Sequence, residues 1–168
     1  MKNSVAIIPA RYGSKRIKKK NIKLFLKKPI ISYPIKTALK SKLFSKIIVS
    51  TDSKRIADIA RKHGATDIVF RPDYLSNDYA GILEVIQHAI NYLEKEKFKF
   101  NYVCCIYPVA VLVNSLDLLN SYKKIINQKH NFIFSSLKYS YPIERGFVLK
   151  KNKIKFLNKN KSLTKRTQ

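Results

Sequence analysis

A chain of 168 residues, 45% hydrophobic and 27% charged, is long enough for one core and too apolar for a disordered polyelectrolyte. Its net charge of +25 rests on 28 lysines and seven arginines, so most of it reads as a solvated lysine coat, because phosphate and base recognition favours the arginine fork. No apolar run reaches the about 18 residues of a membrane span, and no signal peptide is recognisable, which reads as a cytoplasmic chain.

Strand and helix patterns alternate along the chain. Residues 4–10, SVAIIPA, predict a buried strand running into RYGSKRIKKKN, which holds six lysines and arginines between Arg11 and Lys20. Residues 28–41 predict a helix with Ile31, Ile35, Ala38 and Leu39 inward, and 45–52 a second strand ending at Asp52, which can cap the next helix. That helix, 53–65, turns Ile56, Ile59 and Ala60 inward and has Gly64 placed as its C-cap. Residues 66–72 predict a short strand. Residues 81–96 follow as a helix with a stripe of Leu83, Ile86, Ile90 and Leu93. The strand at 101–107 sets Cys104 and Cys105 on opposite faces, as buried free thiols in a reducing compartment rather than as a pair. A helix at 114–128 and a fifth strand at 131–139 complete the alternation. Beyond Tyr141 the apolar stretches 147–149 and 154–157, either side of KKNK, predict a β-hairpin, followed by a basic tail with no acidic residue from 145 onward. The fold class is α/β, a three-layer α/β/α arrangement around an open, mostly parallel sheet. Ligands of such sheets bind beyond the carboxyl ends of the strands, so 11–21, 50–52, 71–81 and 107–110 are expected on one rim.

The first of these segments lacks the spacing of a Walker A loop and of a dinucleotide fingerprint. It does offer a turn with one glycine, the Ser14 hydroxyl and cations at Arg11, Lys15 and Lys20, a set that can cradle phosphate oxygens. A solvated basic loop accounts for the same lysines. His63, His88 and His130 lie on helices or at their ends, with no spacing that pairs them as ligands.

IPARYGSKRIKKKN resembles the signature of the cytidylyltransferases that activate acidic eight- and nine-carbon sugars, with the spacing from Ala-Arg through Ser-Lys to Lys-Asn kept. KKPIISYPI, IIVSTDSKRIADIARKHGA and RPDYLSND match further family segments in order. LEV at 83–85, CCIY at 104–107 and YPIERG at 141–146 resemble the pseudaminic acid branch, and Tyr-Pro-Val-Ala stands where the sialic acid branch has a Gln-Pro-Thr-Ser type segment. The resemblance implies a nucleotide-diphospho-sugar transferase-like (Rossmann-like) fold, with a nucleotide-binding domain over 1–140. It places a hairpin and the start of a dimerisation and sugar-binding region at 141–168. It also implies transfer of CMP from CTP to an acidic sugar. Arg11, Ser14 and Lys20 would hold the phosphates and Asn21 the nucleotide. Arg71 and the amides of Ala80 and Gly81 would read cytosine, and Tyr107 and Arg145 would meet the sugar, Arg145 across a dimer interface. A surface or ion-paired Arg71 and an exposed hairpin Arg145 are the plainer alternatives. Arg166 resembles a late family arginine.

The chain departs from the family at Tyr12 (usually Gly), Lys18 (usually Pro), Ile82 (usually Thr or Ser), and Val109 and Val111, which make the sugar side more apolar. Family members also continue past the position of Gln168, through a strand end whose carboxylate helps hold Mg²⁺. A chain incomplete at its C-terminus, without its Mg²⁺ ligand, is therefore expected. Two other readings are a nucleotide-binding relative with impaired turnover and a basic nucleic-acid-binding domain using 15–28 and 150–168, with eight basic residues each. Few arginines, no aromatic-rich basic stretch and no helix-turn-helix signature argue against the last.

Overall fold

Six consecutive buried residues, Ser4–Pro9, form strand β1 inside a parallel sheet. The computed structural model describes residues 4–127, 130–138, 140, 146–151 and 153–157, in two units, Met1–His130 and Asn131–Gln168. In the first unit β1 pairs on one edge with β4 (Lys46–Thr51) and on the other with β6 (Tyr102–Cys105), and β5 (Asp67–Phe70) pairs with β4. The order is β5-β4-β1-β6, all parallel. A two-stranded hairpin of β2 (Leu24–Phe25) and β3 (Lys28–Pro29) stands before helix α1 (Ser32–Ser41).

The side-chain period of two splits β1 between two cores. Ala6 and Ile8 face α1, α2 (Lys54–Lys62) and α4 (Ser115–Asn127), where they meet Ile31, Ile35, Ile56 and Leu118. Val5 and Ile7 face α3 (Ile82–Lys95) and meet Ala89 and Leu93. Helices thus cover both faces of a parallel sheet, the expected three-layer α/β/α class.

Some expectations need correction. The buried stripe of α3 is Val85, Ala89 and Leu93, flanked by Ile86 and Ile90, whereas Leu83 is 78% exposed. Leu83 lies about 200° around the helix from Val85, at about 100° per residue, so both cannot face the sheet. Leu39, expected inward, is partly exposed, but its Cδ1 would stand 2.6 Å from a Cβ added at Gly64, whose φ is 99°. Gly64 therefore serves both the left-handed turn after α2 and the close approach of α1. The strand expected at 131–139 does not form among its described residues. Phe132 and Phe134 are exposed there, with rings stacked at 5.8 Å; apolar alternation makes a strand only where an edge is available to pair it. Both cysteines are free, as expected, but Cys105 is exposed and only Cys104 is partly buried, its thiol pushed up to about 11 by burial. The hairpin expected beyond Tyr141 is present in the second unit: β7 (Phe147–Lys150) pairs antiparallel with β8 (Lys153–Phe156).

Replacing Ile7, fully buried on the central strand, by Ala is expected to cost about 2–5 kcal/mol. Leu83→Ala should stay within about 0.5 kcal/mol. Chemical denaturation of the two variants checks the assignment of the α3 face.

Candidate active site

The carboxyl ends of the strands come level through backbone bonds that extend the ladder. Ala10 N–H donates to Ser50 O at 2.8 Å, Arg71 N–H to Thr51 O at 2.9 Å and Ile106 N–H to Ile7 O at 3.0 Å. Segments 11–21, 50–52, 71–81 and 107–110 thus leave the sheet on one rim, as the topology requires.

The loop after β1 is fixed at both ends. Tyr12 N–H donates to Asp52 Oδ1 at 2.7 Å, and Ser14 N–H to Tyr12 O at 2.8 Å, a tight turn. Asp52 therefore does not cap α2. Ser53 does, its hydroxyl oxygen accepting from Ile56 N–H. At the far end Lys19 takes a left-handed φ of 53°, and the chain enters the 3-10 turn Lys20–Ile22. There Asn21 is buried and its Nδ2 donates to Arg11 O at 2.8 Å, while its Oδ1 has no partner among the described residues. Asp52 and Asn21 together pin the backbone on either side of the Arg11–Tyr12 junction. Ser14 and Lys20 are half-buried on this loop, and Lys15 is exposed.

Arg71 follows β5 with its side chain turned inward. Its guanidinium donates to Leu75 O at 3.3 Å and Ser50 O at 3.0 Å, and its Nε lacks a partner among the described residues. Burial lowers its pKa, with Asp52 opposing the shift and Arg11 adding to it. An arginine so shifted still carries its charge at neutral pH. Arg71 thus ties the 3-10 turn Asp73–Leu75 to the end of β4 through backbone carbonyls, and is neither the surface cation nor, among the described residues, the ion-paired one of the plainer alternative.

The next residues fold over the first loop. Arg11 donates from Nη1 to Asn77 O at 2.8 Å and pairs through Nη2 with Asp78 Oδ1 at 2.6 Å, and Lys15 pairs with the other oxygen of Asp78. These two cations hold the Asp78 carboxyl below its ordinary pKa. Asn77 Oδ1 accepts from the amides of Tyr79 and Ala80, and Glu84 Oε2 accepts from Gly81 N–H at 2.7 Å. Asn77 and Ala80 also wall an open groove of about 660 Å³ against Leu83, Gln87 and His88 of α3. Burial, then Arg71 and Lys95, lower the pKa of His88. Tyr107, 58% exposed, follows β6 in a turn closed by Ala110 N–H donating to Tyr107 O. Arg145 and Arg166 lie outside the described residues.

The pattern common to cytidylyltransferases matches residues 5–167. The chain belongs to the cytidylyltransferase family. It is 41% identical over all 168 residues to the pseudaminic acid cytidylyltransferase of Campylobacter jejuni, spanning 72% of that protein. An N-acylneuraminate cytidylyltransferase of Escherichia coli is 44% identical over 95 residues, 56% of this chain and 22% of that protein. In three dimensions the chain superposes on CMP:2-keto-3-deoxy-manno-octonic acid synthetase complexed with CTP, with a TM-score of 0.61 at 18% identity. That match covers 75% of this chain and 48% of the synthetase, and at such identity it speaks for the fold alone.

This cytidylyltransferase is therefore an enzyme of nucleotidyl transfer built on a parallel-sheet nucleotidyltransferase fold. Among the described residues no three of His, Cys, Asp or Glu group together to hold a metal ion. Asp78 is taken by cations and Asp52 by an amide, so the rim as described does not fit a Mg²⁺ cage. Arg11, Ser14, Lys20, Asn21, Arg71, Ala80 and Gly81 stand on the two facing loops, and Asn77 and Asp78, which close the matched RPDYLSND segment but had no role assigned from the sequence, join those loops. Their roles depend on which loop lies opposite, and spacing along one chain does not carry that.

Asp52→Ala is expected to raise hydrogen exchange at the Tyr12 amide by about tenfold or more, the worth of a bond to a charged acceptor. Ser53→Ala should instead raise exchange at Ile56 and leave Tyr12 protected. Residue-resolved exchange by NMR separates loop clamp from helix cap.

Proposed function

We propose that the chain transfers CMP from CTP to an acidic nine-carbon sugar, pseudaminic acid, releasing pyrophosphate. The observation that carries this reading is that the loop cations Arg11 and Lys15 stand against the 77–81 loop on the carboxyl rim, in a chain 41% identical along its whole length to a pseudaminic acid cytidylyltransferase. In this chemistry the anomeric hydroxyl of the sugar attacks the α-phosphorus. An O–P bond forms, the α–β phosphoanhydride bond breaks, pyrophosphate leaves and the hydroxyl proton passes to solvent water. No protein nucleophile takes part, so the protein contributes positioning and charge stabilisation.

In this reading Arg11, Ser14 and Lys20 hold the phosphates. Asn21 fixes the Arg11 carbonyl with its Nδ2 and offers its unpartnered Oδ1 to a donor of the nucleotide. Arg71 and the amides of Ala80 and Gly81 read cytosine, which requires Asn77 Oδ1 and Glu84 Oε2 to release those amides. Tyr107 and Arg145 select the sugar. Val109 and Val111, where the chain departs from the family, make that side of the rim more apolar. Mg²⁺ would supply counter-charge to the triphosphate. A homodimer in the cytoplasm is the proposed working form. No helix among the described residues is long and apolar enough to cross a membrane.

Pyrophosphate release by the chain with CTP, Mg²⁺ and pseudaminic acid tests the reading, with N-acetylneuraminic acid as competing substrate. Turnover favouring pseudaminic acid is expected, and Arg11→Ala should lower it by about 100-fold or more, the usual loss for one charge-stabilising donor. Absence of both turnover and CTP binding would sink the proposal. Binding that collapses in moderate salt without preference for CTP over ATP would point to nucleic acid instead.

A further inference from the structure

Three of the donors that the proposed chemistry assigns to the nucleotide, Arg11 and the Ala80 and Gly81 amides, are held by residues 77–84 of the protein itself. The Asp78 carboxylate gives one oxygen to Arg11 and the other to Lys15, as two phosphate oxygens would. One residue earlier, the Asn77 carbonyl accepts the second arm of Arg11, and the Asn77 side-chain oxygen accepts from the Tyr79 and Ala80 amides. Glu84, in the first turn of α3, takes the Gly81 amide. Of the donors so held, Arg11 and the Ala80 and Gly81 amides are ones the nucleotide is assigned to meet, and Lys15 stands beside Arg11 on the same carboxylate; the acceptors all lie within residues 77–84. An arrangement that merely orients Arg11 needs only one of them.

We infer that Asp78 is an internal occupant of the triphosphate site, holding Arg11 and Lys15 in place of phosphate until the nucleotide displaces it. The inference rests on the function proposed above, since it takes a nucleoside triphosphate as the ligand of these cations. Asp78 is one-third exposed and Lys15 lies mostly in solvent, so the contact is weak enough to exchange. It also spares the ligand-free loop the mutual repulsion of Arg11, Lys15 and the neighbouring lysines.

Calorimetry on the 168-residue chain, its Asp78→Asn variant and its Asp78→Glu variant tests this, with CTP, inorganic tripolyphosphate and cytidine as titrants. Asp78→Asn is expected to bind CTP and tripolyphosphate about three- to tenfold more tightly, the worth of two exposed ion pairs. Asp78→Glu, which keeps the charge, should stay near the parent, and cytidine should not distinguish the three proteins. Unchanged or weaker tripolyphosphate binding by Asp78→Asn would overturn the inference and assign Asp78 to orienting Arg11. A gain for tripolyphosphate without any binding of CTP would uphold the internal occupant and sink the cytidine reading. Failure of every phosphate ligand to bind parent and variant alike would overturn both.

Discussion

Burial of β1 on both edges and both faces is the constraint on which the remaining structure depends. Parallel neighbours take its two hydrogen-bonding edges, and helices on opposite faces take its alternating side chains. A strand so enclosed sends its chain to solvent only at its ends, and the carboxyl end is where the other strands finish too. The site follows from this, because no loop wandering over a surface could bring Arg11 to within 2.6 Å of a residue 67 positions away with its backbone held from two sides.

The second constraint is electrostatic. A chain with 35 basic and only ten acidic residues has few carboxylates to place, and two of them, Asp52 and Asp78, are spent on the loop after β1. They do different work. Asp52 accepts from an uncharged amide and shapes the backbone, whereas Asp78 binds charged side chains and balances them. The excess lysine over the rest of the surface needs no ligand, but two cations of this loop, Arg11 and Lys15, converge on one point and must be neutralised there by something. In the chain as it stands the partner is Asp78.

Much of the fold was legible because periodicity reports burial. The strands of the sheet and the four helices follow the apolar pattern, and Gly64 was readable as a stop because a left-handed turn selects glycine. The failures also have physical causes. Leu83 was misassigned because three apolar residues in one turn of α3 satisfy more than one stripe, and contact with the sheet decides between them. The 131–139 segment has the composition of a strand, but composition does not supply a pairing edge. The β2–β3 hairpin turns through Leu26 and Lys27, both with positive φ, where the sequence offers no Asn or Gly to announce it. Within the site, the loop-forming residues could be read from their spacing. Asn77 and Asp78 stand in the matched RPDYLSND segment, but their roles could not be read, because their partners are set by the packing of one loop over another.

Asn21 and Asp78 mark the two ways in which this rim handles polar groups. Asn21 is buried with one half of its amide satisfied and the other open, a residue committed to a backbone it must hold whatever else binds. Desolvation makes that commitment costly to lose, so its geometry is fixed in advance. Asp78 is exposed, bonded on both oxygens, and joined to side chains that also reach solvent. Its bonds can be exchanged at small cost because water and a ligand both replace them well. The rim is therefore rigid where backbone direction matters and exchangeable where charge is exchanged. Under the proposed transfer, a site taking up a triphosphate and releasing pyrophosphate would need both properties at once, and placing them on separate loops lets neither compromise the other.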